Sequence, residues 1–296
     1  MNWFWLAIFS ALLSALAALL QKKVLKNISA LDFSFIVSFL IAIFSTLLLF
    51  FADFQKVNSV SLTFLFIKSL LNATAFLCIM TSLKNLELSR ALPLLASSPM
   101  VIALLAFIFL GEGLKGIEVT GMFLIVSGTY LLELKKNESV LTPFTIYKNS
   151  KYHRIILLAL VLISVSSVMD KFILIEYKIP PLTFVFIQNL FFLFIFFVVY
   201  IFNKNKNKIK IKDLFKANSG SMIFVIIVIA IVTIGYRVMQ IEAVKLAPVG
   251  IVISIKRLSV LFAVIIGAKL FKEESYFKKI IATILIVAGA MMIYRD

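Results

Sequence analysis

The sequence of 296 residues is poor in the groups that carry soluble enzyme chemistry: it has one cysteine (Cys78), one histidine (His153), 14 acidic residues and only 15% charged residues. A lone cysteine cannot form an internal disulfide, and with a lone histidine it makes neither a thiolate metal site nor a Cys/His nucleophilic pair. No metal and no cofactor is expected. The chain has no GxxxxGK[ST] phosphate loop, so ATP-driven pumping is unsupported. Soluble domains carry about 25% charged and about 45–50% apolar residues, whereas 62% of this chain is hydrophobic and 30 residues are Phe. That balance excludes a water-soluble enzyme, a nucleic-acid-binding domain and a disordered chain.

Long apolar runs are what the chain does have. Ten of them lie at about 3–21, 33–52, 60–82, 91–111, 117–134, 155–176, 182–202, 221–241, 247–271 and 278–294. A spanning helix needs about 20 apolar residues, and in lipid the backbone must satisfy its own hydrogen bonds, so runs of this length predict helices rather than a barrel. The first run lacks a basic leader, which argues for a span and against a signal peptide. The longest connections, 135–154 and 203–220, are polar and rich in Lys, and are expected to be solvated loops. The formal charge is +16. Most of the Lys and Arg follow odd-numbered spans, and the positive-inside rule then puts those loops in the cytoplasm and both termini outside.

The chain also repeats. At an offset of 161 residues Lys84 falls on Lys245, Glu112 on Glu273 and Gly128 on Gly289; upstream, at an offset of 149, Lys22 falls on Lys171. The expected organisation is a five-helix repeat at 1–136, a basic linker at 137–154 and a second five-helix repeat at 155–296. Five helices is an odd number, so the second copy enters the membrane from the opposite side. The expected fold is therefore an all-α membrane protein of ten transmembrane helices in two inverted repeats. Such repeats build two-sided transporters with a substrate site near the midplane.

The segment SLKNLELSRALPLLASSPMVIALLAFIFLGEGL and its copy AVKLAPVGIVISIKRLSVLFAVIIGAKLFKEE resemble the drug/metabolite transporter superfamily, in its ten-helix EamA-like branch. The resemblance covers essentially the whole chain. It implies a central cavity lined mainly by helices one, three, four, six, eight and nine. It implies little about substrate, because the superfamily moves amino acids, sugars, nucleotide sugars, amines and phosphorylated metabolites. The ninth helix partly resembles that of the phosphate translocators, which hold phosphate with a Lys-Arg pair. Those proteins carry a further lysine in the fourth helix, whereas the repeat offset sets Leu95 opposite Lys256 here.

Ionisable side chains inside the bilayer cost roughly 2.5–3.5 kcal/mol each on the insertion scale, which makes each a functional candidate. Lys256 and Arg257 lie about ten residues into the ninth run, roughly 14 Å deep at 1.5 Å per residue. That is near the middle of a ~30 Å core. An anionic ligand would supply their counter-charge, with Arg257 gripping an oxyanion bidentately and Lys256 acting as a point charge. The competing reading is that Asp170 neutralises one of them as a structural pair.

Asp170 and Lys171, after Ser164, Ser166 and Ser167, are candidates for a coupling or counter-ion role; the alternative puts both near the membrane surface. Thr233, Tyr236, Arg237 and Gln240 form one stripe of the eighth span. Tyr236 and Gln240 are expected to meet substrate, and Arg237 is free to reach the interface. Asn72 is the better cavity candidate of the third span, where Lys68 is expected to snorkel. Ser97 and Ser98, before Pro99, break the fourth span and offer polar groups to a ligand. Gln188 and Asn189 read as helix–helix glue. Phe191, Phe192, Phe194, Phe196 and Phe197 are expected to face lipid, and Glu112 and Glu273 to anchor helix ends.

The function these features predict is secondary transport, by alternating access, of a small polar metabolite bearing an anionic group. An amino-acid or neutral-metabolite exporter is the alternative, as is a flippase or accessory subunit for a lipid-linked phosphate. The scattered acids and a histidine placed in a loop argue against an intramembrane enzyme. Partners would be the small-molecule substrate, a counter-substrate or proton, and membrane lipid, with the chain a monomer or homodimer in a bacterial inner membrane.

Overall fold

A computed structural model describes residues 2–85, 95, 98–133, 151–203, 219–259, 262 and 276–294. Among these, ten α-helices follow one another: α1 (Trp3–Leu25), α2 (Ala30–Ser45), α3 (Ser59–Asn85), α4 (Ser98–Leu110), α5 (Gly116–Glu133), α6 (Lys151–Glu176), α7 (Pro181–Phe202), α8 (Ser219–Leu246), α9 (Val249–Lys256) and α10 (Tyr276–Tyr294). Each corresponds to one of the ten apolar runs. Six helical segments are long and apolar enough to cross a membrane, and Ser98–Leu110, Gly116–Leu131 and Ile281–Ile293 are shorter apolar segments. The loops expected at 135–154 and 203–220 fall almost wholly outside the described residues, as do Ser97 and Glu273.

Local chemistry sets the helix ends. Ser29 caps α2 by accepting from the Asp32 N–H at 3.0 Å. At the start of α3 the Ser61 N–H donates to Asn58 Oδ1 at 2.8 Å and the Asn58 N–H to Ser61 Oγ at 3.0 Å, a reciprocal cap. Pro180 and Pro248 precede α7 and α9, where a missing N–H costs nothing. The second α-helix stops at Ser45 and continues as a 3₁₀ turn, Thr46–Phe51, so the run at 33–52 is one span with two windings. The sixth helix starts earlier than its apolar run, at Lys151, and takes His153 into a buried position on the helix rather than in a loop. Lys151 and Arg154 tolerate this because a helix extends past the hydrocarbon edge with basic side chains in the headgroup region.

Packing is inverted relative to a soluble protein. Phe50, Phe107, Phe109, Phe202 and Phe224 point outward, while Ser10, Ser34, Ser69, Ser164 and Ser254 are buried. Several of these serines bond a carbonyl of their own helix, as Ser69 does to Leu65 at 2.6 Å and Ser164 to Leu160 at 2.8 Å. Small residues with satisfied hydroxyls let helices approach where lipid supplies no hydrophobic drive.

The two repeats are related by an approximate twofold axis. The first helix packs on α8 as α6 packs on α3; α1 meets α9 as α6 meets α4; α2 meets α8 as α7 meets α3. The pairs α2–α7, α4–α9 and α5–α10 join each helix to its own counterpart. Contacts that exchange in this way are isologous, the signature of a twofold relation. The α5–α10 seam is the closest. A Cβ on Gly121 would lie 2.7 Å from the Gly289 carbonyl, and one on Gly128 would lie 2.8 Å from that of Ala282. Under the 161-residue offset these two contacts are the same contact seen twice.

Candidate functional site

Where α1, α2, α3, α6, α7, α8 and α9 converge they enclose a cavity of about 240 Å³. Asn72, Tyr236, Gln240, Lys256 and Arg257 line it, with Asp170 beside them. Thus one space brings together five of the seven residues expected to meet substrate. Ser98 is buried behind it and bonds Arg257 through its hydroxyl. The second and seventh helices also contribute walls, through Ser34, Val37, Ser38 and Ile41 and through Gln188, Asn189, Phe192 and Phe196. Those two helices are absent from the lining that the family resemblance implied.

The Lys256–Arg257 pair sits where α9 stops being a regular α-helix. The Arg257 N–H is shared between the Ile253 carbonyl at 3.1 Å and the Ser254 carbonyl at 3.0 Å, a tightening from α to 3₁₀ geometry. Lys256 Nζ donates to Gln240 Oε1 and lies 4.7 Å from the centre of the Tyr236 ring. A ring face accommodates a cation without neutralising it, and no ion pair between Lys256 and an acid occurs among the described residues.

Asp170 has other partners than those expected. Its carboxylate lies 2.7 Å from Lys68 Nζ and 2.8 Å from Arg237. Gln188 Oε1 closes the network, accepting from Lys68 at 2.7 Å and from Arg237 at 2.9 and 3.3 Å. Four residues from α3, α6, α7 and α8 are thereby tied together. This corrects three expectations. Lys68 does not snorkel, being fully buried; Arg237 does not leave for the interface; and Asp170 pairs directly with neither Lys256 nor Arg257. The reason is proximity. With the Asp170 carboxylate within 3 Å of both, Lys68 and Arg237 pair with it across the helix interface instead of extending toward headgroups.

Lys171 is absent from the cavity lining. Its ammonium donates to the carbonyls of Val244 at 2.7 Å and Ala247 at 2.9 Å, at the end of α8, and stands 3.5 Å from the Glu112 carboxylate. The repeat mate does the same: Lys22 donates to the carbonyl of Leu83, the residue that matches Val244. Both lysines clamp a helix C-terminus, where cations are favoured. Glu112 also accepts from the Val249 N–H at 3.0 Å, so it caps the N-terminus of α9. The left-handed Gly111 (φ 66°) turns the chain to aim it there.

The Phe-rich stretch of α7 also divides. Phe194 and Phe197 face outward, but Phe192 and Phe196 face the cavity. A lipid face alternating with a cavity face is ordinary helical periodicity, masked in the sequence because Phe occupies both. Ser166, Ser167, Gln21 and Asn189 are further lining residues that composition alone did not mark as a set. No group of three or more His, Cys, Asp or Glu arranged to hold a metal occurs among the described residues.

The sequence profile of the EamA-like transporter family matches residues 1–134 and 151–295. No curated protein matches the chain in sequence. A crystal structure of a protein with 16% identity superposes with a TM-score of 0.70, over 98% of this chain and 96% of the other. At that identity the likeness shows the fold.

Proposed function

Because the chain belongs to the EamA-like transporter family, and so is a multi-pass membrane transporter, we propose that it moves a small organic anion by alternating access. The observation that carries this reading is charge. Lys68, Arg237, Lys256 and Arg257 converge on the cavity region, and Asp170 is the one carboxylate among the described residues lining it. Asp170 serves as counter-ion to Lys68 and Arg237, leaving Lys256 and Arg257 to hold the substrate. Gathering several cations in a low-dielectric site is costly, and an oxyanion offsets that cost in the loaded state.

Arg257 presents a fork suited to carboxylate or phosphate, and Lys256 adds a compact charge. Tyr236 and Gln240 orient Lys256, while Ser98 orients Arg257. Asn72 and Ser97 belong to the same proposed set, Asn72 as a hydrogen-bonding wall residue. The membrane is proposed to be a bacterial inner membrane, and a counter-substrate or a proton completes the cycle.

The test is uptake into proteoliposomes preloaded with unlabelled anion, comparing the natural chain with Lys256→Ala and Arg257→Ala. Each substitution is expected to lower anion exchange by about tenfold or more, the loss of one charged hydrogen bond of about 1.5–3 kcal/mol. Unchanged exchange in both variants would overturn the assignment.

A further inference from the structure

We propose, on the basis of the anion-transport reading, that the substrate is amphipathic: an oxyanion head without an ammonium group beside it, joined to a compact apolar or aryl body. The twofold axis carries the argument. Helix contacts exchange between the two repeats, and matched positions of both repeats line the cavity. Their chemistry differs. At the 161-residue offset, Phe76 on α3 answers Arg237 on α8, Ile79 answers Gln240, and Leu95 answers Lys256. All six line the cavity. The second repeat places cations and an amide where the first places a ring and two branched aliphatic chains. A ligand that satisfies both walls has a charged pole and an apolar pole.

The apolar wall is completed from the second repeat by Phe192 and Phe196 of α7, and is built to receive a ring. Phe76 meets Phe192 and Phe196 edge-to-face with centroids 6.3 and 6.1 Å apart, and Phe192 meets Phe196 at 5.6 Å. Edge-to-face packing of this kind fixes the three rings and leaves aromatic surface toward the cavity. At about 240 Å³ the space suits one compact molecule, below the roughly 300–1,000 Å³ of larger ligand sites.

The exclusion of an ammonium follows from Asp170. It is the one carboxylate among the described lining residues and already faces two cations, Lys68 at 2.7 Å and Arg237 at 2.8 Å, so a substrate cation would be the third to share one negative charge. An α-ammonium would add a fifth positive charge beside Lys68, Arg237, Lys256 and Arg257, with Asp170 the one carboxylate among the described lining residues. The Asn189 amide nitrogen, on the cavity wall and nine-tenths buried, has no acceptor among the described residues. A ligand oxygen answers it.

The experiment is thermal unfolding of the full chain in detergent with phenylpyruvate, phenyl phosphate, pyruvate, inorganic phosphate and phenylalanine, for the natural protein, Phe192→Ala and Phe192→Leu. Phenylpyruvate or phenyl phosphate is expected to bind about tenfold or more tighter than pyruvate or inorganic phosphate, the scale on which an apolar pocket discriminates. The better of the two identifies the head. Phenylalanine, with the same ring but an added ammonium, is expected to be weaker than phenylpyruvate. Phe192→Ala should erase most of the aryl preference while retaining pyruvate binding, and Phe192→Leu, which removes the ring but leaves a smaller cavity than alanine, serves if the alanine variant fails to fold. Equal binding of pyruvate and phenylpyruvate, a preference for phenylalanine, or an aryl preference unmoved in both variants overturns this inference and leaves anion transport standing. No stabilisation by any anion overturns the transport reading beneath it as well.

Discussion

Lys68 shows how a residue's role depends on what stands one helix away. By sequence it is a lysine nine residues into α3, close enough to a helix end to reach water. In the fold it is fully buried, ion-paired to Asp170 at 2.7 Å and set 5.1 Å from the Phe184 ring centre. Removing one member of a buried pair is more damaging than removing the pair, because the survivor keeps its desolvation cost. Asp170→Asn is therefore expected to destabilise the protein by about 3–5 kcal/mol, read as a fall in melting temperature. Lys68→Met added to it should recover part of that loss. A double variant no more stable than Asp170→Asn alone would show that the pair does not act as a unit.

At the scale of helices, the α5–α10 seam and the Lys171 clamp are the elements most sensitive to substitution. Gly121 and Gly289 admit no Cβ without moving a backbone carbonyl less than 3 Å away. Gly289→Val should cost at least the ~1–3 kcal/mol typical of overpacking, measured by thermal unfolding, whereas Gly113→Ala, with open space around it, should cost less than half as much. Glu112 joins the end of α4 to the start of α9 and to Lys171. The repeat identified both Glu112 and Lys171, because Lys22 and Glu273 match them. It did not reveal that Lys171 faces helix ends rather than the cavity, since a period along one chain says nothing about which neighbouring helix supplies the carbonyls.

At the scale of the whole molecule, charge distribution predicts orientation. By the positive-inside rule, the excess of Lys and Arg after odd-numbered spans is expected to put those loops in the cytoplasm. The chain has a single cysteine, so Cys78→Ser gives a cysteine-free background. In it, a cysteine at Lys56 is expected to react with a membrane-impermeant maleimide in intact cells, and one at Lys26 only after permeabilisation. The reverse pattern would invert the assignment. The twofold arrangement of helices suits the proposed alternating access, in which two repeats with interchangeable packing would exchange conformations and open a central site to either side in turn.

The linear sequence determined the class, the ten helices and the duplication. These rest on local quantities: hydropathy over about 20 residues, capping groups such as Ser29 and Asn58, and matches at a constant offset. It also marked Lys256, Arg257, Tyr236, Gln240 and Asn72, because polar groups within apolar runs stand out wherever they point. Only tertiary structure decided which of them share a cavity, that Lys68 and Arg237 divide the Asp170 carboxylate, that Lys171 belongs to a helix end, and that Phe192 and Phe196 turn inward while Phe194 and Phe197 meet lipid. Each of those depends on the rotation of a helix against neighbours from the other repeat, and in a chain where lipid and core are equally apolar, hydropathy does not record that rotation.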